Sequence, residues 1–151
     1  MLTGLYHLFP STIHPMVVHF TIAVNYICAL AGVMGLIRRR DKFWGKAFFY
    51  LLILSILSTL AAGFAGVISE SYVNHIPHAV RGMFHKHKEY GELTGVLLVA
   101  SFVIQAVSIW RKRVFRISVF AFLFCLVSTI FVSLAGHLGG TLVYSYGLGV
   151  H

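Results

Sequence analysis

Four long apolar runs, at about 14–37, 44–69, 87–110 and 114–138, alternate with short polar breaks. Each meets the roughly 20 residues a helix needs to cross the hydrocarbon of a bilayer. A backbone in lipid must satisfy its own hydrogen bonds, so each run predicts a transmembrane α-helix. Pro15 suits the first turn of the first helix, where its missing N–H costs nothing. The second run carries Ser55, Thr59, Ala62, Gly66 and Glu70 at spacings of three and four, and the fourth carries Thr129, Ser133, Gly136, His137 and Gly140. Such stripes of small and polar residues let helices approach closely and mark the faces turned into a bundle. Short turns join the first run to the second and the third to the fourth. The pattern therefore predicts an all-α membrane protein, a single up-down-up-down four-helix domain over 1–151. No internal sequence repeat is evident. The connection 70–86 contains Pro77 and a modestly amphipathic stretch, 78–85, expected to lie flat on the membrane surface as a lid.

Composition sharpens this picture by exclusion. Of 151 residues, 58% are hydrophobic and 11% charged, which leaves no room for a soluble domain. The full-length first run, preceded by Thr3, Tyr6, His7 and Pro10, reads as a retained span and not as a cleaved signal. Arg38, Arg39, Arg40, Lys42 and Lys46 flank the first turn, and Arg111, Lys112, Arg113 and Arg116 flank the third. These are nine of the twelve basic residues, while Arg81, Lys86 and Lys88 are balanced by Glu70, Glu89 and Glu92 on the other side. The positive-inside rule makes the basic end cytoplasmic and puts both termini outside, in the periplasm if the membrane is a bacterial inner membrane. Anionic lipid beside these clusters accounts for the net charge of +8 without nucleic acid. Cys28 and Cys125 fall in mid-span and read as small core residues. No Cys-x-x-Cys-His occurs, which excludes covalent c-type haem from this chain.

The nine histidines all avoid the basic end. His14 lies 24 residues from Arg38, His87 lies 24 from Arg111, and His137 lies 24 from Arg113. At 1.5 Å per residue each separation is about 36 Å, the outer edge of the hydrocarbon. His19 is about a turn deeper. Ionisable side chains at this depth are costly and point to a site. His7, His75, His78 and His151 read as ordinary surface residues, and His85 as an interfacial one.

Imidazoles from facing helices at one level suit a b-type haem held by two axial histidines in a bundle core. Diagonal helices are roughly 13 Å apart, which admits a flat ring with an imidazole on each side. The first and third helices are diagonal, so the expected axial pair is His19 with His87. His14 and His137 then form a second pair, or partner a quinone or the propionates. Gly91, Gly136 and Gly140 make room, and Arg81, Lys86 and Lys88 are placed to meet propionates. The expectation is one haem or two. Zinc or copper is the competing chemistry, but the histidines lack a local ligand spacing such as His-Glu-x-x-His. A redox ligand without haem, such as quinone, and a cofactor-free anchor for a larger complex are the remaining readings.

Two stretches also carry a resemblance. His14-Pro15-Met16-Val17-Val18-His19-Phe20, and 136–144 from Gly136-His137 to Tyr144 with the glycine-rich end at 147–150, resemble the bacterial membrane family known as domain of unknown function 2231, as does 87–91 more weakly. The resemblance covers nearly the whole chain and carries over His14, His19, His87 and His137. Relatives are often fused or adjacent to c-type cytochrome domains, which implies electron transfer at the outer face of the membrane. The expectation is a subunit without catalytic residues of its own, relaying electrons between a periplasmic redox partner and quinone or a membrane oxidoreductase complex.

Overall fold

The computed structural model describes residues 10, 12–73 and 76–148. Four helices, α1 (Ile13–Ile37), α2 (Lys42–Glu70), α3 (His78–Lys112) and α4 (Val119–Tyr144), form an up-down-up-down bundle, with no strand among the described residues. All four are long and apolar enough to cross a membrane. The chain is a multi-pass membrane protein. α1 packs tightly along α2 and α3 along α4; α1 also meets α4 and α2 meets α3, which leaves α1 and α3 on a diagonal.

The helix boundaries depart from the sequence expectation at two places: α4 spans Val119–Tyr144 where the apolar run suggested 114–138, and α3 starts early. The stretch 78–85 is not a separate surface helix: it is the first two turns of α3, which starts nine residues before the apolar run. At 1.5 Å per residue, α3 thus begins about 13 Å before His87, comparable to the distance by which α2 runs on past Ala62 to Glu70 and α4 past Ala135 to Tyr144. Pro77 at the N-cap position fixes where it starts. Lys88 of α3 pairs with Glu70 at the end of α2 at 2.9 Å and lies over the Phe84 ring, securing the base of this extension.

At the basic end the turns are held by single side chains. Asp41 accepts from the Phe43 N–H and so caps α2. Between α3 and α4 the buried Gln105 amide donates to the Arg116 carbonyl at 3.0 Å and accepts from the Ser118 N–H at 2.9 Å. Gly45 lies against the backbone of Phe115, and Gly32 and Gly35 against the side chains of Phe122 and Ile117, so the helices close without intervening side chains. Above this seam the core is Cys28, Phe48, Leu52, Leu98, Ala121 and Cys125, with the two thiols 3.8 Å apart.

The two hairpins are copies of one arrangement, which the sequence reading did not detect. Cys28 of α1 bonds to the carbonyl of Phe48, and Ser101 of α3 bonds to that of Ala121. His14 bonds to the carbonyl of Ala62, and His87 to that of Ala135. In each case the second set lies 73 positions after the first. The same offset relates Thr21 to Thr94, Ser55 to Ser128, Gly66 to Gly139, and the basic residues 38–40 to 111–113. The bundle is therefore pseudo-two-fold, with its axis along the membrane normal.

Replacing Gln105 with Ala should leave the Ser118 N–H and the Arg116 carbonyl without their partner at the loop. A loss of about 1–3 kcal/mol is expected in detergent unfolding, with the Asp41 turn serving as an unaffected internal comparison.

Candidate functional site

His14 opens α1 and His87 lies in the third turn of α3, at equivalent positions of the two hairpins. Each ring reaches across to the next helix in sequence. Nδ1 of His14 is 2.9 Å from the carbonyl oxygen of Ala62, and Nδ1 of His87 is 2.9 Å from that of Ala135. Since a carbonyl only accepts, Nδ1 carries the proton in both rings, and a neutral imidazole so bonded keeps its lone pair on Nε2. The two rings meet at the pseudo-two-fold axis, with centroids 5.8 Å apart and planes at 87°.

The sequence builds this arrangement through a short motif used twice, Ala-Gly-x-x-Gly at 62–66 and 135–139. The alanine supplies the carbonyl, and the last glycine, one turn on, leaves the space for the ring. A Cβ at Gly139 would lie 2.9 Å from Cε1 of His87, and one at Gly66 would lie 3.3 Å from the His14 ring. Beneath the rings the axis is polar. Thr21 donates to the Ser58 carbonyl and Ser128 to the Thr94 carbonyl. Among the described residues, the buried Asn25 Oδ1, Ser55 Oγ and Thr59 Oγ1 have no hydrogen-bond partner.

The structure brings together His14 and His87; it does not bring His19 to His87. His19 is exposed, and its Nδ1 bonds 2.6 Å away to the carbonyl of Pro15 on its own helix. His137 is also exposed. It does not face His14. Gly136 clears no space at the rings, because it receives Ile22 of α1. Gly91, one turn below His87, and Gly140 both face open space. Arg81 is exposed on the α3 extension, whereas Lys88 is engaged by Glu70. His78 and His85 sit on the extension, apart from the ring pair; His7, His75 and His151 lie outside the described residues. The residues the sequence reading missed are Ala62, Ala135, Gly66 and Gly139 in their paired role, and the twice-used Ala-Gly-x-x-Gly was the available signal.

Comparison with known proteins agrees with this architecture. The family model described as predicted membrane protein (DUF2231) matches residues 10–151. The chain belongs to this family. The match spans both hairpins of the DUF2231 fold and includes all four histidines carried over from the sequence motifs. No curated protein and no solved structure matches the chain.

The donor set of this DUF2231 chain discriminates between cofactor chemistries. Among the described residues no group of three or more His, Cys, Asp or Glu is placed to hold a metal ion. A tetrahedral zinc site needs more protein ligands than two imidazoles supply. Axial ligation of a haem needs only two. A carbonyl accepting from each Nδ1–H fixes the tautomer and orientation of the ring. Two imidazoles held in this way would supply the two histidine ligands that a b-type haem takes.

In protein labelled with 15N-histidine, His14 and His87 should report the Nδ1–H tautomer. Gly139→Ala should abolish that signature for His87, while Gly66→Ala, with the looser contact, should weaken it for His14 without removing it.

Proposed function

We propose that this protein is a small cytochrome-b-like subunit of the bacterial inner membrane that binds haem between His14 and His87. The observation that carries the reading is the symmetric pair of imidazoles, each with Nδ1 tied to a helix carbonyl and Nε2 left to bind. The haem would supply one-electron chemistry. His14 and His87 would hold it from opposite hairpins, and the two carbonyls would keep both rings in the ligating tautomer. Arg81, near the tip of the α3 extension, and Lys86, at its base, are the exposed cations available to propionates.

The basic clusters at the opposite end support a cytoplasmic placement for the two tight turns, which sets the histidine end toward the periplasm. A haem there is placed to exchange electrons with a periplasmic partner such as a c-type cytochrome domain, and with quinone in the membrane. With no soluble domain in 1–151, the subunit works within a larger complex.

Reduced-minus-oxidised visible spectra of the purified protein should show a b-type haem, with a positive pyridine haemochrome. His14→Ala and His87→Ala should each abolish haem retention, and His19→Ala should leave the spectrum intact. A flat spectrum with a negative haemochrome, from protein made with ample haem supply, removes the reading.

A further inference from the structure

The groove between α1 and α4 carries polar side chains on its lipid-facing side. Ile22 of α1 seats against Gly136 of α4, which fixes the relative height of the two helices. His19 lies three residues above Ile22, and His137 one residue above Gly136, so the two imidazoles are within roughly one turn of each other in height. At 100° per residue, His19 and Tyr26 turn from the Ile22 contact toward lipid, and Ser133 and His137 turn from the Gly136 contact toward the same flank. The hydrogen bond joining Tyr26 Oη to Ser133 Oγ at 2.7 Å bears this out. His19, Tyr26 and His137 are all exposed.

The hydrogen bonds already made determine what this groove still offers. His19 donates from Nδ1 to the Pro15 carbonyl, so in the neutral ring Nε2 is an acceptor. Ser133 donates to the Thr129 carbonyl at 2.6 Å, so its bond with Tyr26 takes the phenol proton, and the Tyr26 oxygen also remains an acceptor. Two acceptors thus face outward from the α1–α4 groove, on the flank turned to the membrane. The complementary ligand is a lipid-soluble molecule with O–H donors on its headgroup. The fold itself does not require this flank to be polar: at the pseudo-symmetric positions the α2–α3 groove has Glu92, Val99, Leu60 and Phe64.

We propose that the α1–α4 groove binds the headgroup of a membrane quinol, through His19 and Tyr26 as acceptors, and prefers the reduced form to the quinone. A quinone carries only acceptors and finds a donor here only in the N–H of His137, whereas a quinol meets His19 and Tyr26 with its two hydroxyl protons. The inference gives the electron-transfer reading a quinol site five residues along α1 from His14, but as a binding claim it stands apart from haem.

The test is binding under anaerobic conditions to the full chain in phosphatidylcholine nanodiscs, using a short-chain benzoquinol and its oxidised quinone. The quinol should bind saturably and at least tenfold more tightly than the quinone. His19→Leu should weaken quinol binding at least tenfold and erase the preference; Tyr26→Phe, which keeps the ring, should weaken it less while leaving the fold intact. His87→Ala should lose haem but keep quinol binding, which separates the two claims. Equal binding of both redox forms, no change in both groove variants, or displacement of quinol by phosphatidylethanolamine added to the nanodisc would overturn the proposal.

Discussion

In hydrocarbon a polar side chain has no water to turn to, and the nearest acceptors are helix carbonyls that already hold one hydrogen bond. This protein uses their second lone pairs across helices. Thr21 bonds to Ser58, Ser101 to Ala121, Ser128 to Thr94, and the two inner histidines to Ala62 and Ala135. Each bond sets the register of one helix against its neighbour. For the histidines it also decides which ring nitrogen keeps its proton, so packing and site chemistry are fixed by the same contact.

This explains why the fold was legible in the sequence and the site only partly so. Span lengths and basic turns are one-dimensional quantities, and four helices in an up-down order followed from them. The level of the histidines was legible for the same reason, because height along a helix is a count of residues. Azimuth is harder. His14 and His19 are five residues apart, about 140° of rotation once full turns are removed, which sends one ring to the axis and the other to lipid. Depth in the membrane favoured His19, although the count of residues put His14 level with His87; the Ala-Gly-x-x-Gly cradles select His14.

The pseudo-symmetry was hidden for a related reason. The two hairpins agree where they touch one another or the axis, at His14 and His87, Ala62 and Ala135, Gly66 and Gly139, Ser55 and Ser128. Elsewhere they differ freely, with Phe48 opposite Ala121 and Asn25 opposite Leu98. Facing lipid requires only that a residue be apolar, so most positions retain no trace of common origin. The 78–85 stretch misled in the other direction. Its polar composition looks unlike a span, yet after Pro77 nothing in it interrupts helical geometry, and α3 runs straight through it.

A hairpin that met an identical copy of itself would have to display every exposed residue twice, once on each flank. Joining the two copies in one polypeptide frees them to drift apart, so that one side of the particle keeps histidine and tyrosine while the other keeps glutamate and aliphatic residues. A neighbour diffusing in the plane of the membrane therefore encounters two distinguishable sides around a core that is still nearly even. Any assembly formed around this bundle would have a handed arrangement available to it, because the two flanks differ in chemistry.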